Sequence, residues 1–436
     1  MFKRGLPKTV ALLLPGVKLK RWGLMIFFGA VFFAIGILIL LQMTPVHFFM
    51  ETIAKVAAHT PSYVGGIAFL VLGALFFYFG WRKTNSTILD AFLPREKGHV
   101  LEALYKKRML DKGPKIVVVG GGTGLSTILR GLKNLTNNLT AVVTVGDDGG
   151  SSGKLRREMG VLPPGDIRNC IAALADEEDL VTQLFQYRFA EGGLGGHSFG
   201  NLFLTALCSI TGDMFRAIKE SSKVLAIRGN VLPSTLDDMV LLAELEDGRI
   251  IEGESGIPEA KGKIKRLFSK PANPKALSDV IKVIENAELI ILGPGSLYTS
   301  VIPNLLIKDI SKAICQSKAN KVYICNIMTQ PGETDDYSVS DHVKAIIDHA
   351  GCSGIIDAVI VNKELPSNLA KKYEIANSFP VVLDEDKLEE LGVRVIKATL
   401  TEDNTQGFVR HSYTKLAKII SHIHDKSLEI KGGNPK

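Results

Sequence analysis

Cysteine is scarce in this sequence, with five residues in 436 and no Cys-x-x-Cys pair. Cys170, Cys208, Cys315, Cys325 and Cys352 are scattered, which argues against a zinc site. They read instead as buried apolar residues or free thiols of a reducing compartment. Internal repeats and low-complexity tracts are also not evident. A basic surplus is missing where nucleic acid would need one. Residues 1–112 hold 15 Lys and Arg against 5 Asp and Glu, which leaves 37 and 40 for the rest of the chain. The net charge of +7 thus belongs to the N-terminal segment, and nucleic acid is not an expected partner.

Charge is absent altogether from two long runs, Trp22 to Met43 and Tyr63 to Trp81. A helix needs roughly 20 apolar residues to cross a bilayer core, and both runs carry aromatic residues at their ends, as interfacial anchors do. A cleaved signal peptide fits poorly. The first run is too long, no small-residue cleavage site follows, and a second run comes next. Lys3, Arg4, Lys8, Lys18, Lys20 and Arg21 precede the first run, only Lys55 lies between the two, and Arg82, Lys83, Arg95 and Lys97 follow. The positive-inside rule then places both termini in the cytoplasm. The expectation is a multi-pass cell-membrane protein. Its parts are a hairpin over 1–84 (spans 22–43 and 63–81), a basic juxtamembrane linker over 85–113, a cytosolic domain over 114–428 and a flexible tail over 429–436.

From Lys115 the pattern becomes α/β. Short β-branched runs (KIVVV, TAVVTV, LIILG, KVYICNI, IDAVIVN and VRVIKATL) alternate with helical periodicity. This predicts a Rossmann-like, doubly wound, mostly parallel sheet with helices on both faces. MVLLAELEDGRIIEGE, with its Asp-Gly turn, predicts a local hairpin inside an inserted subdomain. In such folds ligands bind beyond the carboxyl ends of the strands, so the residues after each strand matter most.

After the first strand stands GGGTG: Gly120, Gly121, Gly122, Thr123 and Gly124. It could cradle a phosphate at a helix N-terminus or be a tight strand-to-helix turn. It is not a strict G-x-G-x-x-G, which weighs against a dinucleotide site. After the second strand stands DDGGSSGKLR. A Walker A loop would need Gly at Asp148 and Ser or Thr at Leu155, so it fails at both ends. Asp147 and Asp148 could accept a sugar hydroxyl or hold Mg²⁺ through oxygen. Ser151 and Ser152 offer donors, while Lys154 and Arg156 could meet phosphate; the alternative is a polar surface loop. Asp166 reads equally as an N-cap or a site residue, and Arg168 and Asn169 follow in the first turn. His197 and Asn201, four apart in GGHSFGNLF, share a face if a helix begins early. Gly293, Pro294, Gly295 and Ser296, with Thr299 and Ser300, form a second cradle. Asn326, Thr329, Gln330 and Glu333 follow a further strand, and Arg410 and His411 lie near the end.

GGGTGLS, TVGDDGGSSGKLR, LPPGDIRN, HSFGNL, LGPGSLYTSVIPNLL, MTQPGET and VRH occur in that order from Lys115 to about Ile423. In these the chain resembles the gluconeogenesis factor family, a sister group of the 2-phospho-L-lactate transferases. The resemblance implies a Rossmann-like domain with an inserted subdomain, UDP-sugar binding, and a role in carbon metabolism, cell-wall synthesis and cell shape. By analogy with the transferases, the Gly120–Gly124 loop, Asp147, Asp148, Asn201 and the 293–300 loop line the site, with Arg410 on a diphosphate. The N-terminal hairpin departs from the family core, which is usually soluble.

Three function classes follow. The first is a membrane-tethered nucleotide-sugar regulator without turnover, since no nucleophile–base pair is evident. The second is a Mg²⁺-dependent phosphotransferase using Asp147 and Asp148. The third is an NAD(P) oxidoreductase, resting only on strand–GGGTG–helix. No residue is singled out as catalytic, and Mg²⁺ is the one cofactor considered. Expected partners are a nucleotide sugar such as UDP-N-acetylglucosamine, the membrane, a second copy of the chain and cell-wall enzymes.

Overall fold

The computed structural model describes residues 19–40, 44–57, 62–92, 100–176, 178–363, 377–401 and 411–432. Two units divide at Lys107/Arg108. In the first, helices Leu19–Leu40 and Ser62–Phe92 coincide with the two expected spans, residues 41–43 lying outside the described residues. Among the described residues one stretch, Gly66–Lys83, is long and apolar enough to cross a membrane, while Phe27–Ile37 is apolar but shorter. The expected connecting loop contains a helix, Thr44–Ala57. The second long helix runs on to Phe92, into the stretch expected to be linker.

The second unit is built on a seven-stranded sheet in the order β10-β9-β8-β7-β1-β2-β3. The strands are β1 (Ile116–Gly120), β2 (Leu139–Val143), β3 (Asn230–Pro233), β7 (Leu289–Leu292), β8 (Asn320–Ile324), β9 (Ala358–Asn362) and β10 (Arg394–Ala398). Every pairing in it is parallel. β1, β2 and β7 are buried along their whole length, which is why they read as unbroken apolar runs. Leu125, Ile128, Leu129 and Leu132, spaced at helical period, pack one face of helix Gly122–Leu132 into this core.

β4 (Val240–Leu245), β5 (Ile250–Glu252) and β6 (Ile264–Lys270) form a separate antiparallel sheet in the order β5-β4-β6, inserted between β3 and β7. The hairpin around Asp247-Gly248 is present as expected. Two strands escaped the sequence reading. β3 is a four-residue edge strand ending in Pro233, a position where proline costs no ladder hydrogen bond. β6 mixes three basic residues into its pattern, and only its pairing with β4 makes it a strand.

The cysteine expectation also needs correction. Cys315 and Cys352 are joined in a disulfide, while Cys170, Cys208 and Cys325 are free. The two partners are 37 residues apart and meet only because separate helices pack together, so spacing carries no signal of it.

Candidate functional site

The chain turns from β1 toward β2 and β3 on one side of the sheet and later resumes with β7 on the other. The β1/β7 junction is therefore the switch point, where strand-end loops diverge and leave a crevice. The two glycine-rich stretches of the sequence are the segments that follow these two strands. Gly121 caps helix Gly122–Leu132, whose first-turn N–H groups have no acceptor within the helix. Across the junction, Gly293–Ser296 leads into a π-helical turn, Leu297–Val301, a geometry frequent at functional sites.

The two loops touch. A Cβ at Gly124 would lie 2.3 Å from the Pro294 carbonyl oxygen, so only glycine fits there. The Asn304 side-chain amide donates to the Gly120 carbonyl at 3.2 Å and to the Ser300 carbonyl at 2.9 Å, stapling both loops from beneath. Ser296 and Thr299 donate to Glu333 Oε1 at 3.3 and 3.5 Å, and Gln330 donates to Ser296 Oγ at 2.7 Å. These hydroxyls brace the loop, so the groups left for an anion are largely backbone.

A second wall carries acid. Asp147, beyond β2, is half-buried, and its Oδ1 accepts from Gly149 N at 2.9 Å. Asp166 does not cap its helix, Gly165–Leu174, because Pro164 is the cap residue. Its carboxylate faces the first glycine loop, accepting from the Gly122 N–H, with Oδ2 2.7 Å from where a Gly121 Cβ would be. A Cβ at Gly165 would lie 3.0 Å from Asp147 Oδ2, so Asp147 and Asp166 stand close to one another. Burial first, and then Asp147, raise the Asp166 carboxyl to about 6.

Asp148 has a different role from the expected pair. Its Oδ1 accepts from Ser255 N at 2.9 Å, and Gly253 packs against its Oδ2, so it anchors the inserted sheet. Gly253 has φ +95°, a conformation natural to glycine. Between these two residues stands Glu254, which the sequence reading did not select. Burial, then Asp147, Asp166, Asp148 and Glu333, push its carboxyl up to about 8. Burial raises Glu333 to about 7, and Glu333 Oε2 is buried with no partner. The GlyGluSer turn offered no motif; only the tertiary fold brings Glu254 to these acids.

The DDGGSSGK segment is not an open loop. Helix Gly150–Met159 begins inside it, burying Ser151 and Ser152 and leaving Lys154 exposed. Arg156 is also turned away from the glycine loops, donating to Asp238 at 2.7 Å and the Met239 carbonyl at 2.9 Å. His197 precedes helix Phe199–Thr211 rather than lying on it, yet it still meets Asn201 through a common partner. Ser151 Oγ is 3.1 Å from His197 Nδ1 and accepts from Asn201 Nδ2 at 3.1 Å. A buried serine–histidine contact is thus present where the sequence showed none. Arg168 donates to Ser198 Oγ at 2.6 Å and to Asn169 Oδ1 at 2.9 Å. Its Nε has no partner, and burial lowers the guanidinium's affinity for its proton. His411 Nε2 donates to the Cys325 carbonyl at 3.2 Å, and burial depresses the imidazole to about 4. Arg410 lies outside the described residues.

The arrangement offers backbone donors for phosphate on one side and, on the other, carboxylates suited to a hydroxyl or a hard cation. Among the described residues, no group of three or more His, Cys, Asp or Glu is gathered tightly enough to hold a metal unaided.

The sequence profile described as 2-phospho-L-lactate transferase CofD matches residues 116–401. A relative in Nostoc sp. that shares the gluconeogenesis factor name is 53% identical over 413 residues, covering 93% of this chain and 90% of its own. That match runs into the N-terminal apolar segment. The gluconeogenesis factor of Bacillus subtilis is 52% identical over 313 residues, 71% of this chain and 98% of its own, the size of the α/β unit alone. A crystal structure of a Bacillus halodurans protein superposes with a TM-score of 0.68 at 51% identity, covering 70% of this chain and 98% of that one.

Proposed function

The chain belongs to the gluconeogenesis factor family of CofD-like proteins, and from that premise we propose that it is a membrane-tethered regulator that binds a nucleotide sugar of the UDP-N-acetylglucosamine type. Its output is the coupling of carbon metabolism to cell-wall synthesis and cell shape. One observation carries the ligand reading: two glycine-rich loops meet across the switch point, at Gly124 and Pro294, opposite Asp147 and Asp166. The backbone N–H groups of the loops receive the diphosphate, and a carboxylate receives a sugar or ribose hydroxyl. Titration calorimetry of the full chain with UDP-N-acetylglucosamine should give saturable binding, and the absence of heat at millimolar ligand would sink the reading.

Mg²⁺ fits this site as a companion of the phosphates. It commonly takes one or two carboxylates and completes its shell with phosphate oxygens and water, and Asp147 with Asp166 supplies such a pair. When bound, it would neutralise phosphate charge. Glu254 and Glu333 hold protons until such positive charge arrives, and Arg168 keeps Ser198 and the Asn201 helix in place.

A second reading is a Mg²⁺-dependent phosphotransferase resembling 2-phospho-L-lactate transferase. The buried Ser151–His197 contact and the CofD match favour it. Incubation with a nucleoside-diphosphate donor, Mg²⁺ and candidate acceptors should then release nucleoside monophosphate. Binding without release favours the regulator.

The tether rests on the two apolar runs and their basic flanks. Membrane fractionation should place the full chain in the pellet and a version lacking residues 1–112 in the supernatant.

A further inference from the structure

The Cys315–Cys352 disulfide lies away from the glycine loops, yet one imidazole connects the two. Cys315 is in the last turn of helix Lys308–Gln316, and Cys352 follows Gly351, the left-handed residue that ends helix Val339–Ala350. Their Cα atoms are 6.6 Å apart, within the span of roughly 4.4–6.8 Å that a bridge requires. Both residues are half-exposed and line a cavity of about 550 Å³ together with Leu267, Phe268, Lys308 and His349. A small dithiol entering this cavity meets the sulfurs without unfolding the domain.

His349 stands three residues before Cys352, in the last turn of the same helix. Its Nδ1 is 2.7 Å from the Ala345 carbonyl, so Nδ1 carries the proton and Nε2 accepts from Leu267 N, in β6, at 2.8 Å. The ring also meets Tyr298 edge-on, with centroids 5.9 Å apart. Tyr298 belongs to the π-helical turn that continues the second glycine loop, and its N–H donates to Glu333. On the other side β6 pairs with β4, which accepts Gly253 N at the Leu241 carbonyl, next to Glu254 and the Asp148–Ser255 bond. The helix end held by the disulfide therefore positions both walls of the nucleotide site.

We propose that Cys315–Cys352 is a reversible redox modification site, whose oxidised form holds His349 against Leu267 and Tyr298 and whose reduced form releases them. The reductant is a dithiol. One of its thiolates attacks a cysteine sulfur, the protein S–S bond breaks, and a mixed disulfide forms. The partner cysteine leaves as a thiolate in that step, and the second thiol of the reductant then attacks the mixed disulfide and displaces the cysteine bound in it. The reductant leaves as a disulfide, and two electrons and two protons end on Cys315 and Cys352. Coupling between sites commonly amounts to about 5–150-fold in affinity; the effect on ligand affinity rests on the nucleotide-sugar reading, whereas the structural effect does not.

The test uses the full chain, oxidised with glutathione disulfide or reduced with dithiothreitol, beside Cys352→Ser and a Cys208→Ser control. Mass spectrometry without reductant should find the 315–352 cross-link, and dithiothreitol should open it in native buffer. Hydrogen exchange in Ile264–Lys270 and Leu297–Val301 should quicken roughly tenfold on reduction and in Cys352→Ser, with the control unchanged. Free thiols after oxidation would overturn the proposal, as would a bridge that opens only in denaturant, or exchange that ignores the redox state. UDP-N-acetylglucosamine should bind roughly tenfold more weakly to the reduced chain. No binding in either state would count against the nucleotide-sugar reading and leave the exchange result standing.

Discussion

The two walls of the candidate site are made of opposite materials. The β1 and β7 loops are nearly all backbone, packed until a single Cβ at Gly124 would collide with the Pro294 carbonyl. The facing wall is all side chain: burial, with neighbouring carboxylates second, raises Asp166 and Glu254 to about 6 and 8, and burial raises Glu333 to about 7. The first wall is finished in the free protein and satisfied by packing. The second is electrostatically unfinished and calls for a cation or donor to complete it. On the proposed function, this pairing of backbone donors with an acid wall suits a ligand bringing both phosphate and positive charge, such as a Mg²⁺-bound nucleotide diphosphate.

The largest expected effect comes from breaking the rigid wall. Gly124→Val forces the loops apart and should abolish nucleotide-sugar binding in calorimetry, a loss of at least about 100-fold. Circular dichroism melting of the same variant tells loss of the cradle from loss of the fold. Next, Asp147→Asn or Asp166→Asn removes one carboxylate from the acid wall. Each should weaken binding about tenfold in Mg²⁺ and much less in a chelator, for about 1.4 kcal/mol. Equal losses in both conditions would detach these acids from any cation.

The third effect is on pH. Asp166, Glu333 and Glu254 keep protons in the folded state to about pH 6, 7 and 8, whereas an unfolded carboxyl releases its proton near pH 4. Their contribution to stability is full below about pH 4 and is lost as pH rises through about 6 to 8. Glu254→Gln should therefore raise the Tm by about 2 °C at pH 8 and leave it unchanged at pH 4. A cation binds the ionised form and expels those protons, so its stabilising effect on the wild type should grow from pH 6 to pH 8. The smallest effect belongs to Lys154→Ala. That side chain is exposed, and binding should change less than twofold. A larger loss than that of Asp147→Asn would turn the segment back into a phosphate loop.

Much of this was legible in the chain. Six of the seven strands of the large sheet announced themselves: five are largely buried and read as apolar runs, while the edge strand β10 is half-exposed and was legible from its β-branched residues. The glycine loops were legible for a related reason: a turn from strand to helix with backbone in contact leaves no room for Cβ atoms. β3 and β6 were not, since an edge strand and a half-exposed strand depend on their partners for their conformation. Roles were harder than positions. Asp147 and Asp148 are adjacent in sequence, yet one stands beside Gly165 and Asp166 and the other accepts from Ser255. Lys154 and Arg156 looked like phosphate ligands until the helix over Gly150–Met159 directed one to solvent and the other to Asp238. Ser151, His197 and Asn201 looked separate and share one hydrogen-bonded cluster.

Local pattern alone determined the fold class, the inserted hairpin and both glycine-rich loops, because burial and tight turns select residue types one position at a time. The tertiary structure decided which acids face one another, which serine meets His197, and that Cys315 reaches Cys352. Those are distances between residues far apart in sequence, and charge repulsion, hydrogen bonding and disulfide exchange depend on distance rather than on neighbours along the chain.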